Sequence, residues 1–207
     1  MKRNNPNRRL SELGQSLWLD YMRRSLITSG ELERLIVEDR LRGVTSNPAI
    51  FEKAIDGSSD YDSDIRRLAE QGKTVDEIYS AVTVKDIQDA ADVMRPVYDA
   101  LDGRDGFVSL EVSPCLAHDT DGTIEAARRL WMDLQRPNVL IKIPGTKEGL
   151  PAIRQCIGEG INVNVTLLFG LSRYREVIDA YLDGLEACAE KGHPLDRVGI
   201  SAHAFFK

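Results

Sequence analysis

A lysine set inside a short apolar run raises the chemical question. The segment NVLIKIPGTKEG, Asn138 to Gly149, places Lys142 among Leu140, Ile141 and Ile143 and stops the run with Pro144 and Gly145. An ammonium flanked by aliphatic side chains in a β-type run sits where water is scarce, so it is either salt-bridged or used. Desolvation disfavours the charged form of a lysine, which is how an amine becomes a nucleophile toward a carbonyl near neutral pH. Five other polar residues hold comparable positions at the ends of apolar runs: Asp20, Asn47, Glu111, Asn164 and Thr166. An amine in apolar surroundings, two carboxylates and several neutral polar groups are what a Schiff-base aldol reaction needs. The amine attacks a ketone and loses water, and the iminium becomes the electron sink for breaking the adjacent carbon–carbon bond. One carboxyl moves protons during imine formation and another takes the proton from the hydroxyl beside the breaking bond.

Each of these residues also has a plain structural reading. Asp20 can cap the segment that follows it, and Asn47 before Pro48 is good turn chemistry. Glu111, between Leu110 and Val112, needs a buried partner, and Lys142 itself would serve. Asn164 and Thr166 also fit as hydrogen-bonded core residues. Arg23 and Arg24 lie near a strand end and read as a solvated face rather than a phosphate site.

The elements that must position these groups alternate along the chain. Strands are expected at Ser16 to Asp20, Arg42 to Asn47, Gly106 to Ser113, Asn138 to Pro144, Ile161 to Leu167 and Arg197 to His203. Helices are expected after a capping box at Thr28 to Glu31, over Thr123 to Leu134, over Glu148 to Glu159, and over Ser172 to Lys191 with Ser172 as N-cap. The stretch 56–101 reads as a charged helical insertion, with a second capping box at Thr74 to Glu77, that replaces one crossover helix by two or three. Strands alternating with helices imply βα units and a parallel sheet.

Side chains alternate across a strand, so Val139, Ile141 and Ile143 face away from Leu140 and Lys142. Likewise Ile161, Val163, Val165 and Leu167 oppose Asn162, Asn164 and Thr166. One face of each strand is aliphatic, and the other turns polar toward the C-terminal end. A doubly wound sheet would make both faces of its central strands apolar. A barrel needs helices on its outer face only and builds its site at the C-terminal strand ends. The expectation is therefore an α/β fold of the (β/α)8 TIM type, in one domain over 1–207, with the six polar residues at its mouth.

Composition narrows the function classes. A net charge of −6 with 29% charged residues gives no basic excess for nucleic acid or an anionic membrane. The basic start, MKRNNPNRRLSELGQSLWLD, lacks the apolar core of a signal peptide, and no run approaches a membrane span, so a cytoplasmic location is expected. Cys115, Cys156 and Cys188 are odd in number and widely spaced, which indicates neither a disulfide framework nor a zinc site.

Five stretches carry a resemblance. LWLD (17–20), GVTSNPAIF (43–51), SLEVSP (109–114), LIKIPGTKEG (140–149) and INVNVTLLF (161–169), in order and one per strand, resemble the transaldolase family from about Leu10 to about Ile200. The insertion after the second strand is similar to that of the longer bacterial subfamily. The resemblance implies a metal-free and cofactor-free class I enzyme of the pentose phosphate pathway. Such an enzyme moves a dihydroxyacetone unit from sedoheptulose 7-phosphate or fructose 6-phosphate to erythrose 4-phosphate or glyceraldehyde 3-phosphate. It further implies that Lys142 forms the Schiff base, that Glu111 is the acid/base acting through a water held by Thr166, and that Asp20 handles the hydroxyl proton. Asn47 and Asn164 would bind the hydroxyls of the three-carbon unit. A related aldolase that cleaves fructose 6-phosphate without transfer is the alternative within enzymes, and a catalytically silent barrel is the alternative outside them.

The end of the sequence departs from the pattern. Eight-stranded barrels run to about 250 residues, so a chain ending at Lys207 is expected to hold about six of eight strands. If Phe205 and Phe206 are the family's aromatic pair, Ala204 stands where the phosphate-binding serine is expected, while alternation offers Ser201 or His203. The family's phosphate-binding arginines have no counterpart here.

Overall fold

The computed structural model describes residues 5–195 and 198–204, the last three as backbone. Six strands are hydrogen-bonded in the order β1-β2-β3-β4-β5-β6: β1 (Leu17–Asp20), β2 (Leu41–Thr45), β3 (Phe107–Glu111), β4 (Val139–Pro144), β5 (Val163–Leu168) and β6 (Ile200–Ala204). A doubly wound sheet reverses its strand order at a switch point. A strictly sequential order with helical crossovers is that of a singly wound (β/α)8 barrel, and this α/β chain carries six such strands. Contacts divide it into two compact units, Met1–Val108 with Arg136–Asn138, and Ser109–Gln135 with Val139–Lys207.

In the first unit, helices α1 (Pro6–Glu12), α2 (Arg24–Thr28) and α3 (Glu31–Asp39) surround β1, and α4 (Pro48–Asp56), α5 (Asp62–Glu70) and α6 (Val75–Ala100) follow β2. The basic start forms α1, which the sequence reading did not include. Its Arg8 donates to the carbonyls of Val37 and Glu38, satisfying groups left open at the C-terminal end of α3. The capping box at Thr74 is present in both directions: Thr74 Oγ1 accepts from the Glu77 N–H, and Glu77 accepts from the Thr74 N–H. It starts a helix of 26 residues whose buried side chains, among them Ile87, Ala91, Met94 and Val97, recur at helical spacing. The box expected at Thr28 does not form. Thr28 closes α2 by bonding back to the Arg24 carbonyl, Gly30 breaks the chain at φ 78°, and Glu31 turns to Arg34.

Strand β1 meets β2 in parallel register, with Trp18 opposite Gly43 and Asp20 opposite Thr45. A Cβ at Gly43 would lie 2.2 Å from the Trp18 ring, so the indole occupies the space of the missing side chain. Gly43→Ala is therefore expected to destabilise the chain by about 1–3 kcal/mol through overpacking. A lower urea midpoint with an unchanged slope would report it.

The second unit holds α7 (Thr120–Leu134), β4, α8 (Gly149–Ile157), β5, α9 (Leu171–Glu190) and β6. Every residue of β4 is buried, and its aliphatic face packs in a core with Ile153, Cys156 and Ile157 of α8 and Val163 and Val165 of β5. The N-cap of α9 is Gly170, not Ser172, and a glycine has no side chain with which to cap. Alternation also fails at Leu167, which is 53% exposed at φ 61°. A register shift between Val165 and Leu168 seats Leu168, not Leu167, opposite Ala204. Such a bulge adds one unpaired residue and reverses the facing that a period of two predicts. Leu167, Phe169 and Leu171 remain exposed just beyond it.

Candidate active site

Lys142 lies near the C-terminal end of β4, 7% exposed. Strands β4 and β5 pair in parallel with Lys142 opposite Asn164 and Pro144 opposite Thr166, so all four residues share one face. The same face of β5 carries across to β6, where Asn164 is opposite Ser201. On the other side, the Val112 N–H donates to the Lys142 carbonyl and brings the end of β3 alongside. Lys142 Nζ then stands 3.5 Å from Glu111 Oε2, with the two side chains only 9% and 18% exposed.

A second contact gives the local curvature. Asn164 Nδ2 donates to Ser109 Oγ at 3.2 Å, although β3 and β5 are separated by β4 and would lie roughly 9–10 Å apart in a flat sheet. Side chains standing perpendicular to a flat sheet do not span that distance. This face is therefore concave, with alternate strands contributing to one layer as they do inside a barrel. Ser109 lies two residues before Glu111 and so shares its face by alternation. Its signal, a small hydroxyl two residues before a strand-end acid, is too common to stand out. The hydroxyl oxygen of Thr166 is buried and has no hydrogen-bond partner among the described residues.

The loops above this face are tied together. Thr146 Oγ1 donates to the Ala117 carbonyl at 2.6 Å and accepts from the Gly149 N–H. Thr120 Oγ1 donates to the Glu148 carbonyl, and His118 Nδ1 lies 3.2 Å from Glu148 Oε2. A Cβ at Gly149 would fall 2.0 Å from the Pro144 carbonyl. The PGTKEG segment thus positions the ends of β3 and β4 through its own backbone and one threonine.

Asp20 and Asn47 belong to the first unit. Asp20 ends β1 and is exposed. Asn47, two residues past β2, is the N-cap of α4, and its Oδ1 accepts from the Ile50 N–H at 3.0 Å. Capping leaves the Asn47 amide nitrogen for other partners. Arg24 is not part of a solvated face. It donates to Asp86 Oδ1 at 2.9 Å and Asp64 Oδ2 at 2.7 Å and stacks over the Tyr61 ring. Asn162, just before β5, is also structural: it donates to the Val139 carbonyl and accepts from the Gly199 N–H. The Phe205–Phe206 pair lies outside the described residues, as do the side chains of His203 and Ala204.

Other chemistries find less support. Among the described residues, no three of His, Cys, Asp and Glu gather as a metal site. Burial pushes the Cys156 thiol up to about 12, so it stays protonated and unreactive. Among the described residues, no helix is long and apolar enough to cross a membrane.

The family model described as transaldolase/fructose-6-phosphate aldolase matches residues 17–206, which include all six strands. The chain belongs to this family. A transaldolase of Acidothermus cellulolyticus is 52% identical over 200 residues, covering 97% of this chain and 54% of the relative. Transaldolase 1 of Streptomyces avermitilis is 54% identical over 198 residues, covering 96% and 52%. The transaldolase of Mycobacterium marinum is 49% identical over 206 residues, covering 99% and 55%. The chain spans about half the length of the curated relatives it matches. The resemblance read from the strand-end motifs therefore holds at the level of the family.

Proposed function

We propose that this chain carries out transaldolase chemistry in the cytoplasm, taking a dihydroxyacetone unit from fructose 6-phosphate or sedoheptulose 7-phosphate through an imine on Lys142. The acceptor is erythrose 4-phosphate or glyceraldehyde 3-phosphate, as in the pentose phosphate pathway. The observation that carries the reading is the Lys142 amine 3.5 Å from the Glu111 carboxyl, with Asn164 and Thr166 on the same concave face.

The amine adds to the C2 carbonyl of the donor, and the resulting carbinolamine loses its oxygen as water to leave an iminium. Glu111 supplies and recovers the protons of this step. The Thr166 hydroxyl, buried without a partner among the described residues, suits the water through which that transfer passes. Asp20 takes the proton of the C4 hydroxyl as the C3–C4 bond breaks, and the bonding pair moves to the iminium nitrogen to form an enamine. The enamine attacks the aldehyde of the acceptor, and hydrolysis of the new imine returns Lys142. Asn164 and the amide nitrogen of Asn47 hold hydroxyls of the three-carbon unit. The acidic balance of the chain argues for small-molecule substrates and against nucleic acid.

Borohydride trapping with fructose 6-phosphate tests the reading. The expected result is a reduced adduct of one dihydroxyacetone unit or one hexose phosphate mapped to Lys142. Absence of any adduct at millimolar donor would favour a catalytically silent barrel. Adding erythrose 4-phosphate separates the two enzymatic readings: transfer yields sedoheptulose 7-phosphate, whereas a simple aldolase releases dihydroxyacetone whether or not acceptor is present.

A further inference from the structure

The side chains that surround Arg24 form a closed polar ring that the proposed chemistry does not use. The Arg24 backbone N–H donates to Tyr61 Oη at 3.1 Å, Tyr61 Oη donates to Asp86 Oδ2 at 2.8 Å, and Asp86 Oδ1 accepts from Arg24 Nε at 2.9 Å. Arg24 Nη1 donates further to the Asp60 carbonyl at 3.0 Å and to Asp64 at 2.7 Å. Its guanidinium lies 4.5 Å from the centre of the Tyr61 ring. Tyr61 and Asp86 are fully buried. Burial pushes the Asp86 carboxyl up, while its bonds to Tyr61 and Arg24 draw it back down. Burial also pushes the Tyr61 hydroxyl up, so it remains a donor.

Two features give this ring a purpose beyond packing. First, Arg23, at the N-cap of α2, makes no side-chain cap bond, and the Tyr61 hydroxyl accepts from the first N–H of the helix, that of Arg24. The start of α2 is thus fixed by α5 and α6, the helices of the 56–101 stretch, and not by its own sequence. Second, Arg24 is four residues beyond Asp20, where β1 ends and strand pairing no longer holds the chain. The residue midway, Met22, is fully buried. A buried ion pair is commonly no more stabilising than apolar side chains of the same volume, and its best-supported use is to specify one geometry. This one specifies the path by which the chain leaves β1.

We infer that Arg24, Tyr61 and Asp86 are positioning residues for Asp20, and that the helical stretch 56–101 acts as a brace that sets the Asp20 carboxylate for carbon–carbon cleavage. The inference rests on the role proposed for Asp20. Misplacement of a catalytic group by about 1 Å costs on the order of 100-fold in rate, whereas imine formation at Lys142 does not draw on Asp20. Loosening the ring therefore slows one step and spares the other.

Tyr61→Phe keeps the ring face and removes the hydroxyl that joins the Arg24 N–H to Asp86. Single-turnover experiments on the full chain with fructose 6-phosphate read two rates, borohydride-trapped imine at Lys142 and release of glyceraldehyde 3-phosphate. The expected result is release slowed roughly 10- to 100-fold, imine formation within about 2-fold of wild type, and KM little changed. Arg24→Lys, which retains charge but loses the planar fork, is expected to follow Tyr61→Phe. A purely structural role would lower both rates together with the folded fraction, and that outcome overturns the inference, as does release at the wild-type rate. Failure of the underlying reading looks different: wild type forms no adduct, or Asp20→Asn releases product as fast as wild type.

Discussion

Lys142→Met is expected to lower kcat by about 10⁴-fold or more and to remove the borohydride adduct, because among the described residues of the second unit no other lysine is buried. Methionine fills a similar volume and suits a strand in which every residue is buried. The loss is therefore chemical, and isothermal titration should still detect binding of fructose 6-phosphate. Stability supplies the contrast. Glu111, its side chain 18% exposed, would lose the ammonium 3.5 Å away. Leaving one member of a largely buried pair uncompensated costs about 1–3 kcal/mol here, somewhat below the figure for complete burial.

The double variant Lys142→Met with Glu111→Gln separates the two meanings of the pair. If the contact is only structural, removing both charges restores the stability that the single change lost, and nothing else depends on it. If Lys142 is the imine-forming amine, stability recovers in the double variant and activity does not. Recovery of activity along with stability would remove Lys142 from the chemistry.

The strand-end residues were legible because two simple periodicities govern them. A lysine or an acid in a run of aliphatic residues has few places to go, and alternation by two assigns it a face. Lys142, Glu111 and Asn164 fall on that face, and the register of β4 with β5 shows it. What escaped depends on partners distant in sequence. Nothing near Arg24 announces Asp86, 62 positions away, or Tyr61, 37 away. A charged side chain beside a second arginine reads locally as surface, and only tertiary packing makes it the centre of a buried ring. Ser109 is similar, since its bond to Asn164 exists only because this part of the sheet curves. The bulge at Leu167 escaped for the opposite reason: the local pattern was strong, and one extra residue in the strand inverted it. Capping followed the same logic. At Thr74 the box had no competitor, whereas Thr28 was already committed to the last turn of α2.

Glu111→Gln is expected to lower kcat by about 10²- to 10⁴-fold, the range for loss of a positioned acid/base, with a smaller change in KM. The rate of imine formation carries more weight than the overall loss. Glu111 stands 3.5 Å from the Lys142 amine, and glutamine keeps the shape of its side chain while removing the group that carries a proton. A carboxylate that merely paired with the lysine would leave the Gln variant trapping donor at least as fast as wild type. A carboxyl that moves protons in carbinolamine dehydration would leave it slower, because the hydroxyl cannot depart as water without a proton donor. Rapid-quench borohydride trapping at neutral pH distinguishes these outcomes. Undiminished trapping in Glu111→Gln would return Glu111 to the role of counter-ion, and slower trapping, with the adduct still on Lys142, would make it the proton carrier of the reaction.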